Sequence, residues 1–182
     1  MNKPAFPARS VILSVEEMTR TDQAMIVNGV ASEELMEWAG HGVASAIIER
    51  WTSRPTLVLC GPSKNGGDGF VIARHLRDAG WPVHVALLGS VSKLEGDAKL
   101  NADRWSDPVD SVTAADVTDA ALVVDALFGS GLSRPIEGVA AEALMAIGDT
   151  PCIAVDIPSG VDGNTGAVLG FAAQAELTVT FC

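Results

Sequence analysis

Residues Cys60 to Phe70 read CGPSKNGGDGF, beginning on the last residue of the apolar run TLVLC. Glycines 66, 67 and 69 permit positive φ and let bare N–H groups approach a ligand closely, and a helix that follows such a segment turns its positive end toward it. The ligand that suits this arrangement is a phosphate. The segment is not a Walker A loop, because Gly67-Asp68 stand where Lys-[Ser/Thr] is required, and it lacks G-x-G-x-x-G spacing. A tight strand-to-helix turn around Asn65-Gly66 accounts for the same glycines with no ligand at all.

The acids separate these readings. Asp125 closes ALVVD and Asp156 closes CIAVD, so two aspartates carry the same apolar prefix and, with Asp68, are expected to converge at one edge of a sheet. Carboxylates beside a phosphate-binding segment repel it unless a cation intervenes. Asn65, Asp125 and Ser159 offer oxygen atoms only, a donor set for K⁺, Na⁺ or Mg²⁺ rather than for zinc or copper. A single aspartate in such a place would more simply cap the next segment. Two with one prefix favour the cation. Arg134, in GSGLSRP, could reach a phosphate, although loop arginines are commonly just solvated.

These residues need elements to hold them. Ser14 and Glu17 form an S-x-x-E capping box ahead of a helix ending near Gly29. A second helix begins at Ser32, where Leu35, Met36, Ala39, Val43, Ile47 and Trp51 recur at three- and four-residue steps along one buried face. Apolar runs then alternate with amphipathic stretches: strands over 56–60, 82–89, 121–129, 152–160 and 177–181, with helices over 69–79, 93–105 and 138–147. Short continuous apolar runs separated by helices indicate parallel strands covered on both faces. The expected fold class is α/β: a three-layer α/β/α sandwich with a Rossmann-like, mostly parallel sheet and extra N-terminal helices. In such sheets ligands bind outside the carboxyl ends of the strands, where the acids and glycines fall.

The 182 residues suit one domain spanning 1–182, with residues 1–10 as a loose arm, since single domains commonly run to about 100–200 residues. Hydrophobic residues make up 48% and charged residues 19%, a globular composition. Twelve basic against twenty-three acidic residues give a net charge of −11, which opposes nucleic acid and anionic membranes as partners. Neither a signal-peptide core nor an apolar span of about 20 residues is present, so a cytoplasmic location is expected. Cys60, Cys152 and Cys182 read as reduced thiols, and His41, His75 and His84 lack zinc spacing.

Taken together, LSVEEMTRTDQ, ELMEWAGHGVA, NGGDGFVIARHL, DALFGSGLSRPI, VDIPSGVDGNTGAVLG and AELTVTF resemble the NAD(P)H-hydrate epimerases, the YjeF N-terminal domain family. The resemblance runs along most of the chain. It implies an isomerase that interconverts the R and S epimers of NADHX and NADPHX, nicotinamide cofactors hydrated at C6, as a step in their repair. It also implies one bound K⁺, with Asn65, Asp125 and Ser159 as its ligands. The substrate would touch Lys64, Asn65, Gly66, Gly67 and Asp68, then Gly129, Ser130, Gly131, Leu132, Ser133, Arg134 and Pro135, and finally Asp156. An ADP- or ATP-dependent dehydratase is the implied functional partner, fused to this domain in many bacteria. Members often dimerise, for which the apolar N-terminal helices offer a face.

Loss of the C6 hydroxyl leaves an iminium ion that water can attack on either face, so a carboxyl group that protonates the leaving hydroxyl and then activates water would serve as catalyst. Asp156 is expected to be that group; opening of the N–C6 bond is another route the same acid could assist. The chain departs from the family in carrying Lys64 where Asn is usual. Members also generally continue past TVTF into a further strand, so the chain is expected to lack that C-terminal end. A non-catalytic nucleotide-binding or scaffold module of the same fold is the alternative.

Overall fold

The computed structural model describes residues 13–181, so the arm expected over residues 1–10, and Cys182, lie outside the described residues. Helix α1 (Val15–Val27) opens on the expected capping box: Ser14 accepts the Glu17 N–H while the Glu17 carboxylate takes the Ser14 N–H. Helix α2 (Ser32–Arg50) follows. Its buried stripe is Met36, Gly40, Val43, Ala44 and Ile47, centred on a glycine the apolar pattern omits. A Cβ at Gly40 would meet Val71 Cβ at 2.5 Å, so α2 crosses its neighbour at backbone distance.

Strand β1 (Thr56–Cys60) leads to α3 (Lys64–Asp78), β2 (Val83–Leu87), α4 (Gly96–Arg104) and β3 (Val109–Ser111). Then come α5 (Ala114–Thr118), β4 (Leu122–Ala126), α6 (Gly138–Ala146), β5 (Cys152–Val155) and β6 (Leu177–Val179). The six strands are all parallel, in the order β3-β2-β1-β4-β5-β6. β1 and β4 are buried along their whole length, as continuous apolar runs predict.

Side chains of α2, α3 and α4, among them Ile47, Phe70, Leu76 and Ala102, cover one face of the sheet. Val117, Ala140 and Leu144 of α5 and α6 cover the other, completing the three layers. Two short elements escaped the periodic reading: β3, whose VDS carries no apolar run and which pairing with β2 creates, and the five-residue α5. Cys60 and Cys152 are free and buried, and burial pushes both thiols far up.

The chain winds outward from β1 through β2 to β3, and from β4 through β5 to β6. The order therefore reverses between β1 and β4. Such a reversal leaves a crevice at the carboxyl ends of these two strands, because neither connection crosses it.

Candidate active site

The glycine-rich segment differs from its sequence reading. Helix α3 begins at Lys64, so Gly66, Gly67 and Gly69 lie inside its first two turns, with ordinary helical φ rather than in a turn before it. Their glycine character answers crowding. A Cβ on Gly66 would sit 1.8 Å from the Gly61 carbonyl oxygen, one on Gly67 2.7 Å from Met36 Sδ, and one on Gly69 2.7 Å from Cys60 Sγ. The helix is thus pressed end-on against the strand it follows. Ser63 supplies no side-chain cap, and the first N–H bonded back into the chain is Gly67 to Ser63 O, 3.1 Å, which leaves the amide end of α3 for a ligand.

A cavity of about 540 Å³ opens at this helix end. Ser63, Lys64, Asn65 and Asp68 of α3 and its approach form one wall, Phe128 through Arg134 a second, and Asp156 stands between them with Phe181. Of the residues expected to touch substrate, Gly66, Gly67 and Pro135 do not line this cavity: the two glycines pack inward against Gly61 and Met36. The fourth wall was not anticipated. Val15, Met18, Thr19 and Asp22 of α1 close it, at the i, i+3, i+4, i+7 spacing of one helix face. That spacing is readable in the sequence, but nothing there says where the face points.

Asp156 follows β5 directly and is the one described non-glycine residue with positive φ, at 68°. Its N–H donates to Val179 O of β6 at 2.8 Å, and its Oδ2 accepts the Ser130 N–H at 2.8 Å. Gly129 makes this possible, since a Cβ there would be 2.8 Å from Asp156 Oδ2 and 3.4 Å from Asn65 Oδ1. Asp68 is buried one helical turn past Asn65. Desolvation first, then the charge of Asp156, holds its carboxyl well above the ordinary range; Lys64 pulls it back and Asp22 adds to the rise.

Asp125, at the end of β4, is wholly buried and lies beneath the cavity rather than in its wall. Ser159 N–H donates to its Oδ2 at 2.8 Å and the Ser159 hydroxyl to its Oδ1 at 2.6 Å; Leu127 N–H reaches Oδ1 at 3.3 Å. The Ser159 oxygen in turn accepts Phe128 N–H at 2.9 Å. These bonds tie the loop after β5 to the loop after β4. Burial still raises the Asp125 carboxyl, against the Ser159 bonds that lower it.

Among the described residues no group of three or more His, Cys, Asp or Glu side chains is placed to hold a metal ion. A set of one carboxylate, one amide and one hydroxyl is a different kind of site, and two features fit a hard cation. Asp125 is a wholly buried acid whose raised carboxyl has no cationic side chain among its causes, and the buried Asn65 amide has Nδ2 without a partner. Rotation of that amide exchanges its oxygen and nitrogen. Asn65, Asp125 and Ser159 therefore carry the right chemistry for the ion.

A second cleft of about 540 Å³ lies away from the strand ends, lined by Ala31, Glu33, Glu34, Glu37, Arg74 and Arg104. Its arginines are occupied, Arg104 by Glu33 and Arg74 by Glu37, with His75 also on Glu37 at 2.7 Å. Arg74 Nε, however, is buried without a partner.

Comparison with known proteins decides the family. Residues 32–182 match the family described as YjeF-related protein N-terminus. The chain belongs to that family. A protein of Rhodobacter capsulatus named NAD(P)H-hydrate epimerase is 43% identical over 93% of this chain and 87% of its own length. Another of Limosilactobacillus fermentum, with the same name, is 38% identical over 93% of this chain and 84% of its own length. A Thermofilum pendens protein named bifunctional NAD(P)H-hydrate repair enzyme is 45% identical, but there the match spans 84% of this chain and 32% of the longer protein. A crystal structure of a yeast protein superposes with a TM-score of 0.82 at 25% identity, covering 94% of this chain and 80% of that one. In this YjeF-related domain the strand-end crevice and the acids around it are the parts left for chemistry once packing has been accounted for.

Proposed function

We propose that this chain is an NAD(P)H-hydrate epimerase that interconverts the R and S epimers of NADHX and NADPHX. The observation that carries the reading is the meeting of Asp68, Asp156 and the uncapped start of α3 around one cavity at the reversal of the sheet, in a chain whose relatives bear that name. The amide end of α3, with Lys64 and Arg134, suits the diphosphate of a dinucleotide. The acids suit its ring.

In this reading Asp156 is the acid–base group. Its Oδ2 is held by Ser130 N–H, which leaves Oδ1 for the substrate. As a carboxylic acid it gives its proton to the C6 hydroxyl; the C6–O bond breaks, water departs and the N1 lone pair closes an N1=C6 iminium. Water then adds to the opposite face and returns a proton to the carboxylate, so atoms and charge balance. A K⁺ held by Asn65, Asp125 and Ser159 would supply positive charge under the loops after β4 and β5. The remaining contacts expected from sequence belong to the same proposal: the glycine loop Gly129 to Arg134 along the dinucleotide, with Gly66, Gly67 and Pro135 acting from behind the wall.

An ADP- or ATP-dependent dehydratase is the partner this function calls for, consistent with the bifunctional repair enzymes of which this chain matches 32% and 35%. Self-association would use the exposed Met25, Val27 and Trp38 of α1 and α2. No described helix is long and apolar enough to cross a membrane, and a cytoplasmic site of action is part of the proposal. The test is to supply R-NADHX to the purified protein, with and without K⁺, and follow the epimer ratio by chromatography. Acceleration to equilibrium is expected; binding with no change in ratio would leave only a nucleotide-binding module.

A further inference from the structure

Helix α1 buries no residue completely, yet four of its positions are partly covered: Val15, Met18, Asp22 and Ile26, at i, i+3, i+7 and i+11. Its other positions are exposed. This is the inward stripe of an amphipathic helix, and it is apolar except at Asp22. Folding does not call for a charge there. Asp22 is neither at a helix end, where it would favour the dipole, nor three or four residues from a basic side chain, since Arg20 is two away and pairs with Glu16. Among the described residues it takes part in no hydrogen bond or ion pair.

What Asp22 faces is the cavity, whose wall it forms with Asp68 and Asp156. Asp22 also adds, last among the causes, to the rise of the Asp68 carboxyl across the cavity they both line. A second feature points to a ligand in it. Asn65, 6% exposed, lines the same cavity with Nδ2 unpartnered, and its amide lies across the Gly129 gap from the Asp156 carboxylate. Three acid side chains around one opening suit a guest that carries positive charge, and the unpaired Asn65 amide suits one that also hydrogen-bonds.

We infer that Asp22 is a substrate-binding residue: carried in by α1, it completes with Asp68 and Asp156 an acidic end of the cavity that holds the nicotinamide ring and stabilises the positive charge it acquires. The inference rests on the epimerase reading for the identity of the ring. Electrostatic stabilisation of developing charge by preplaced groups is the largest common contribution to catalysis, and an iminium facing Asp22 and the Asp156 carboxylate left by proton transfer is a direct case of it. The two ends of the cavity thereby divide the dinucleotide: helix amides, Lys64 and Arg134 for its phosphates, acids for its ring. The division also accounts for acids in a site that must admit a dianion.

The test compares NAD⁺, whose ring is cationic, with NADH, whose ring is neutral, by calorimetric titration of wild type, Asp22→Asn and Asp22→Glu. Wild type is expected to bind NAD⁺ more tightly, and Asp22→Asn to lower the NAD⁺/NADH affinity ratio about threefold or more while ADP-ribose binding stays unchanged, as a through-space charge effect requires. Asp22→Glu should keep most of the ratio. In the epimerisation assay, Asp22→Asn should lower kcat about tenfold with little change in KM, the pattern of an interaction made chiefly in the transition state. An unaltered ratio and kcat in a folded Asp22→Asn protein would overturn the inference even if the enzyme is an epimerase. A lost ratio in a protein that epimerises nothing would instead uphold the acidic end and remove the epimerase reading. Since α1 contributes nothing to the core, the Asn and Glu variants should melt together with wild type, and a fallen ratio accompanied by a collapsed melting temperature in Asp22→Asn alone would count against the inference.

Discussion

Asp156 combines a backbone conformation that most side chains avoid with a carboxylate held by one loop amide. A left-handed φ on an aspartate costs on the order of 1 kcal/mol, and the Ser130 N–H bond returns a similar amount. Asp156→Asn tolerates the same φ but cannot exchange a proton; epimerisation should fall about a hundredfold or more while the melting temperature holds. Asp156→Gly should be near neutral in stability, because relief of the backbone offsets the lost bond, and equally inactive. Asp68 makes a pH prediction. Its carboxyl is raised above the ordinary 3.8 by burial and by Asp156, so the native chain keeps a proton the unfolded chain has already released. Its contribution to stability is therefore full below the ordinary carboxylate range and declines as pH climbs through the raised native value. Asp68→Asn removes that decline. Urea midpoints should show the variant gaining on wild type between acid and neutral pH, and parallel curves would refute the assignment.

At the scale of elements, the sheet and most helices were legible because continuous apolar runs and three-to-four spacings can be read without coordinates. The start of α3 was not. Asn-Gly-Gly-Asp-Gly has the composition of a turn, and only the approach of Gly61 and Met36 shows that the same glycines belong to a helix jammed against its own strand. Two alanine substitutions separate these roles. Gly66→Ala drives a Cβ into the Gly61 carbonyl and should cost about 3 kcal/mol, because backbone cannot step aside. Gly42→Ala, inside α2 with nothing within 4 Å, should gain about 0.5–1 kcal/mol from helix propensity alone. Chemical denaturation of both variants checks the contrast. If Gly66→Ala also stabilised the chain, the crowded helix start described for α3 would be wrong.

The whole molecule places the site by its winding. Reversal of strand order between β1 and β4 brings the start of α3, at Lys64, together with the loops after β4 and β5, which begin only past Ala126 and Val155. The proposed cation would bind where the last two of these loops are already tied by Asp125 and Ser159, so it should stabilise the entire fold. At a K⁺ concentration ten times its dissociation constant the gain is about 1.4 kcal/mol. For a chain of this length that is a rise of about 3–6 °C in melting temperature. Choline chloride at equal ionic strength should give no rise, and Asp125→Asn should abolish the K⁺ effect; equal shifts from both salts would mean that no such site exists.

The amino-acid sequence alone determined that strands and helices alternate, that the strands are buried on both faces, and that oxygen-bearing side chains stand at strand ends, since each of these follows from local pattern and from neighbours along the chain. Tertiary structure decided which of those side chains share a space. Asp125 sank beneath the cavity floor, Gly66 and Gly67 turned inward to packing, and Asp22 came into the wall from a helix separated from β1 by the whole of α2. The reason is physical: spacing along a helix or strand sets the face on which a residue lies, while what that face meets depends on how distant elements are pressed together, and no local pattern records that.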